Sequence, residues 1–197
     1  MKRKVINKFL KNYKIPFSRI LLILFYVLIN FIKIHAQNNS YLNYKFQALD
    51  NSQIDISKLG NKKMIIVPFD ASNPNRQQLL QLDSLFRKNK SLLNVIAIPS
   101  LDFGNALKEG RLKKLLYDTL NLSILIAKIS SVKKISGANQ QPIMQWLTDK
   151  NLNGHFDIDI SNPGEIFIIS ENGKLFARIS STIDINYIKK IINKKVD

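Results

Sequence analysis

Few residues in this chain have the type and spacing that chemistry requires. The run DKNLNGHFDID puts Asp149, Asn151, Asn153, Gly154 and Asp157 at positions 1, 3, 5, 6 and 9 of an EF-hand-like calcium loop. Position 12, where such a loop needs a bidentate acid, is Ile160. Without it the expectation is an Asn/Gly-rich surface loop. His155 is the one histidine after residue 36, so a His-dependent triad or a zinc site has almost nothing to build from. Asn38, Asn89 and Asn121 each begin an N-x-S triplet, which an Asn-rich chain also produces by chance. The most suggestive stretch is FDASNPNRQQLLQLDSLFRK, residues 69 to 88: a strand ends in a short polar turn and a helix follows. Several redox folds present a thiol nucleophile from such a turn. This chain has no cysteine, which excludes thiolate chemistry and leaves Met oxidation as the only redox chemistry at sulfur.

The elements that would position these residues follow from patterning. Lys45 to Leu49 and a segment near Ile54, separated by Asp50 and Asn51, read as two short strands joined by a turn. KMIIVPF and LNVIAIPS are apolar runs rich in β-branched residues, as strands buried on both faces would be. Between them Leu79, Leu82, Leu85 and Phe86 form a helical stripe. NALKEGRLKKLLYDTL predicts a second helix with Leu112, Leu115, Leu116 and Leu120 on one face. SILIAKIS is a short extended segment, and QPIMQWLTDK a helix with Pro142 in its first turn, where a missing N–H costs nothing. EIFIIS and KLFARI form a hairpin whose Asn172 and Gly173 supply positive φ. A last helix, Asp184 to Lys195, turns Ile185, Ile188 and Ile192 inward. Strands alternating with helices, then a hairpin and a terminal helix, predict an α/β three-layer domain with a mixed central sheet.

With 197 residues and 45% hydrophobic content, the chain fits one globular domain with a sizeable core. The net charge of +16 would by itself point to a polyanion, but its distribution weakens that inference. Residues 1–36 hold eight cations and no acid, half of the net charge, around the apolar run Ile20 to Ile32. That run is 13 residues long, short of the ~20 needed to span a bilayer, and suits an export signal. Ile34 and Ala36 stand in the minus-three and minus-one places for cleavage after Ala36, which would give a periplasmic or secreted protein. The alternative is an uncleaved signal anchor that tethers the protein to the membrane. Residues 37–43 form a polar segment ahead of the domain at 44–197. No nucleic-acid partner is expected. The Lys pairs at 189/190 and 194/195 form a solvated helix face, with weak association to an acidic membrane surface as the alternative.

In order and wording these pieces resemble the glutathione peroxidase family of the thioredoxin superfamily. The resemblance covers roughly Tyr44 to Lys195 and is carried by NVIAIPSLDFGN, GANQQPIMQWL and NGHFDIDISNPGEIFIISENGKLF. It implies a thioredoxin-like fold. In that family a Cys or selenocysteine sits at the turn after the first buried strand, assisted by a Gln, a Trp and an Asn. The resemblance places Asn73 at the thiol position, or Pro74 if the alignment is anchored on Ala71 and Ser72, with Asp102 at the Gln position and Asn162 and Pro163 at the Trp and Asn positions. A carboxylate at 102 would oppose ionisation of a neighbouring thiol, and Pro163 removes an amide side chain and a backbone donor together. The expectation is an exported, catalytically degenerate member of the family, ancestrally tied to peroxide reduction and oxidative stress, that requires no cofactor and acts as a binding or scaffold domain. An enzymatic alternative uses Asp102 as general base or metal ligand beside Asn73 and Asn162, in which case it lines a concave pocket. A third possibility is a surface interaction protein using its basic C-terminal helix.

Overall fold

A computed structural model describes residues 40–59, 61–105 and 107–194. The expected export signal at 1–36 with its cleavage position, the start of the polar segment and Lys195 lie outside the described residues.

Two short strands open the domain, β1 (Lys45–Gln47) and β2 (Gln53–Asp55), antiparallel about a turn in which Asn51 takes φ 71°. Asp50 fixes that turn by accepting hydrogen bonds from the backbone N–H and the hydroxyl of Ser52. A 3-10 turn, Ile56–Leu59, leads to β3 (Lys63–Asp70), followed by α1 (Arg76–Lys88), β4 (Leu93–Ser100) and α2 (Glu109–Lys113). Next come β5 (Leu125–Ile126), α3 (Pro142–Thr148), α4 (Lys150–Asn153), β6 (Ile166–Ile169), β7 (Leu175–Ile179) and α5 (Ile185–Asn193). The sheet order is β5-β4-β3-β6-β7; β3, β4 and β5 run parallel, while β6 pairs antiparallel with both β3 and β7. The predicted mixed sheet is therefore present.

Two apolar layers explain the pattern. Leu79, Leu82 and Leu85 of α1, Leu112 of α2 and Ile188 and Ile192 of α5 pack with Ile65, Val67 and Val95 on one face. Ile143, Met144, Trp146 and Leu147 of α3 pack with Met64, Ile66 and Ile96 on the other, where Tyr41 lies with its ring centroid 5.0 Å from that of Trp146. Strands clothed on both faces must be apolar throughout, and every residue from Lys63 to Phe69 and from Leu93 to Ser100 is buried. Pro68 lies in a central strand, yet antiparallel pairing with β6 stops at Ile66 and the Pro68 carbonyl instead accepts the N–H of Gly164 at 2.7 Å. The strand therefore loses no ladder bond to the proline.

Three details differ from expectation. The second helix starts at Glu109 rather than near Asn105, because residues 101–104 form the turn that follows β4 and Asn105 lies outside any helix. Beyond Lys113 it widens into a π-helix, Lys114–Thr119, with Leu120 N–H donating to the carbonyl of Leu115, and this leaves Leu115 and Leu120 half-buried while Leu112 and Leu116 stay in the core. In the β6–β7 turn only Gly173 is left-handed, at φ 77°; its N–H donates to the carbonyl of Ser170, and Asn172 keeps negative φ.

Candidate functional site

The thiol-position turn, residues 71–75, leaves the carboxyl end of β3 and is closed from within. Asp70 Oδ1 accepts from the Ser72 N–H at 2.7 Å and its hydroxyl at 2.6 Å, and Asn75 caps α1 by accepting from the Gln78 N–H at 3.1 Å. Between these anchors Asn73 is exposed and Pro74 is buried. The loop after β4 lies against this turn. A Cβ on Gly104 would sit 2.8 Å from Ser72 Oγ, so the close approach requires glycine there.

Asp102 follows β4 and is half-buried. Its Oδ2 accepts two backbone N–H groups, from Val132 at 2.5 Å and Lys133 at 2.8 Å, and Ser136 Oγ lies 3.4 Å from Oδ1. Its own N–H donates to Ser100 Oγ at 3.1 Å. The carboxylate thus pins the segment leading into the 3-10 helix Lys134–Asn139. Asn162 and Pro163 are exposed in the turn before β6. Glu165, buried at the start of that strand, accepts the N–H groups of Ser161 at 3.1 Å and Asn162 at 2.9 Å through Oε1. Through Oε2 it accepts from Arg178 Nε at 2.8 Å and Nη2 at 2.5 Å. Arg178 also donates to the carbonyl of Asp159 at 2.8 Å, and Asp159 Oδ1 accepts the N–H of Lys134 at 2.9 Å. Gly164, at φ 85°, completes the turn. Its carbonyl accepts from Gln78 Nε2 at 2.7 Å, and a Cβ there would lie 2.5 Å from Gln78 Oε1.

The fold therefore gathers the loops bearing Asn73, Asp102, Asn162 and Pro163 at one end of the sheet, after β3, after β4 and before β6. No hydrogen bond joins any two of these residues. Three surface clefts, of about 170, 370 and 260 Å3, are lined by other residues, so the concave pocket expected around Asp102 is not one of them. What the loops share is a set of carboxylates, Asp70, Asp102, Asp159 and Glu165, each accepting backbone N–H groups. Sequence reasoning missed Glu165 and Arg178 as a pair, although Glu165 lies within NGHFDIDISNPGEIFIISENGKLF. Their separation of 13 residues across two strands leaves no local signal.

The calcium-like loop is organised in the same way. Asp149 caps α4 through the Asn151 N–H, and the side chain of Asn153 is buried rather than solvated. Asn153 Oδ1 accepts from the N–H groups of His155 and Phe156, while Nδ2 donates to the carbonyls of Trp146 and Phe156. Asp157 pairs with Lys134, and His155 is exposed. Asp149, Asn153 and Asp157 each have a side-chain oxygen engaged with the chain itself, and among the described residues no group of three His, Cys, Asp or Glu is arranged to hold a metal.

Far from these loops, Tyr117 in the π-helix is half-buried, and desolvation, with the Asp50 charge second, pushes its hydroxyl up to about 12.

No protein-family model matches the chain, and no curated protein matches it either. Solved structures do. Trgpx in its apo form superposes with a TM-score of 0.58 at 18% identity, covering 78% of this chain and 93% of that one. GPX1 of T. cruzi gives 0.57 at 18% identity, over 78% and 94%. A thiol:disulfide interchange protein of the thioredoxin family from Chlorobium tepidum gives 0.54 at 14% identity, over 76% and 90%. With its mixed five-stranded sheet clothed by helices on both faces, the chain has a thioredoxin-like α/β fold.

Proposed function

We propose that this chain is an exported, non-catalytic domain of glutathione-peroxidase type, a scaffold that retains the fold and acts by binding. The observation that carries this is the state of the loops where the family's catalytic groups would stand. The chain has no cysteine, Asn73 is an exposed amide, and the nearby carboxylates hold backbone N–H groups of neighbouring loops. A peroxidase needs an ionised thiol whose charge is stabilised and whose pocket admits peroxide. Here the acceptors are spent on the chain's own backbone, which ties the neighbouring loops together. Export is supported by the basic and apolar character of residues 1–36 and the small residue at Ala36.

The test is peroxide consumption by the purified protein, with glutathione or thioredoxin as the reductant. Turnover equal to that of a heat-denatured control is expected across hydrogen peroxide and organic hydroperoxides. Turnover above the control would overturn the proposal.

A further inference from the structure

The opposite end of the sheet carries a charge pattern that the loops above do not. Lys63 pairs in register with Leu93, and Met64 with Ile169, so the segments entering β3 and β4 and the β6–β7 turn meet at one end. The end of α5 joins them, with Ile192 and Asn193 lining a cleft of about 260 Å3 together with Lys63, Leu92 and Glu171. Among the described residues this end presents Lys58, Lys62, Lys88, Lys90, Lys174 and Lys194, all exposed except the half-buried Lys62. Fewer acids stand among them: Glu171 lies 3.0 Å from the Nζ of buried Lys63, Asp83 is paired with Arg87, and Asp118 is exposed just ahead of Leu120. Arg87 is nearby in sequence but is engaged with Asp83 and the carbonyl of Asn121. Amid the lysines Leu92 is 54% exposed. The far end of the domain carries both signs, with Arg76, Lys108, Lys133, Lys134 and Arg178 among Asp70, Asp102, Asp157, Asp159, Glu165 and Asp184. The excess of exposed lysines thus lies at the amino end of the sheet, while acids and bases are mixed at the other.

We propose that the amino end of the sheet is a docking surface for an anionic lipid bilayer, with the lysines on the headgroup phosphates and Leu92 entering the interface. Charge complementarity selects an anionic partner. Compact lysine charges around an exposed aliphatic side chain suit a headgroup layer over an apolar interior. Reading a nucleic acid would call for arginine forks on bases or exposed aromatic platforms, and this face has neither; Phe86, the nearby ring, is half-buried beneath Lys90 at 5.9 Å. The far end, where acids and bases pair, offers no comparable excess of cations, so the amino end is the one that faces the bilayer. This inference stands independently of the fate of the peroxidase site. It also moves the basic surface from the exposed side of α5, where sequence placed it, to the end of the sheet, with Lys194 common to both.

The absence of cysteine makes the test clean, because one introduced thiol is the only labelling site. The full chain carrying Ser91→Cys or Asn73→Cys is labelled with a polarity-sensitive fluorophore and titrated with phosphatidylglycerol or phosphatidylcholine vesicles. The probe at 91 is expected to move to an apolar environment on phosphatidylglycerol alone, reversibly at high salt, while the probe at 73 stays in water. Adding K58Q, K88Q, K90Q and K174Q raises the half-saturating lipid concentration about fivefold per lysine. The charge-matched set K108Q, K114Q, K150Q and K189Q leaves it unchanged. Equal responses at 91 and 73, an unaffected response in the first lysine set, or capture of heparin with the probe at 91 unmoved on vesicles each overturn the proposal.

Discussion

Glu165→Ala unfolds this domain at markedly lower denaturant, with a loss of about 3 kcal/mol in chemical unfolding. The carboxylate is buried and serves four donors at once: the Ser161 and Asn162 N–H groups and two nitrogens of Arg178. Truncation leaves Arg178, its side chain 18% exposed, without its counter-charge, and frees two turn amides from their acceptor. A buried ion pair is weak evidence of net stability, but removing one partner alone is costly, because the other charge stays desolvated. Residual exposure of Arg178 lets water soften the loss, which is why the expected figure sits at the low end of the usual 3–5 kcal/mol. Glu165→Gln keeps the shape and an acceptor for the turn amides, so about half of the loss is expected. Equal losses for the two variants would mean that the charge alone, and neither the shape nor the retained acceptor, holds this corner.

Asp102→Ala is the second large effect, about 2 kcal/mol. Val132 is fully buried, and its N–H has no other acceptor once the carboxylate is gone. Leaving a buried donor unpaired costs about 1–3 kcal/mol, and the shared bond to the Lys133 N–H adds to it. Loosening should be local, so amide exchange at Val132 and Lys133 is expected to accelerate well beyond the change at β3 and β4. Unchanged exchange at those two amides would contradict the assignment of Asp102 as the tie between the loop after β4 and the segment 132–136.

The sheet was legible because its signal is strong and local. KMIIVPF and LNVIAIPS are apolar without alternation, which only a sheet covered on both faces explains, and β3 and β4 fall on them. Pro142 and the last helix's Ile188 and Ile192 were likewise placed by rules that need one turn of chain. The π-helix was hidden, because an i→i+5 bond shifts the leucine stripe by one residue without changing its composition. Asn172 and Gly173 both tolerate positive φ, and only the turn's hydrogen bonds decide that glycine alone takes it. The candidate site was half legible: its positions could be placed on loops at one end of the sheet, but the work of its carboxylates could not. Asp102 finds its donors 30 and 31 residues away, and Glu165 its arginine 13 away, separations set by topology rather than by any motif.

A cysteine placed at 73 tests whether the surroundings, and not merely the sulfur, have lost the chemistry. The chain is otherwise thiol-free, so the titration and peroxide reaction of Asn73→Cys report that one group. Asn75 already accepts the Gln78 N–H at the start of α1, position 73 is exposed, and the Asp70 carboxylate is bound to the adjacent Ser72, so nothing there favours a thiolate. The account predicts a thiol pKa near the ordinary value of about 8.5, peroxide reactivity of a free thiol, and no glutathione-dependent turnover. A strongly depressed pKa with rapid peroxide consumption would contradict it, because the activating environment of a peroxidase would then still be in place.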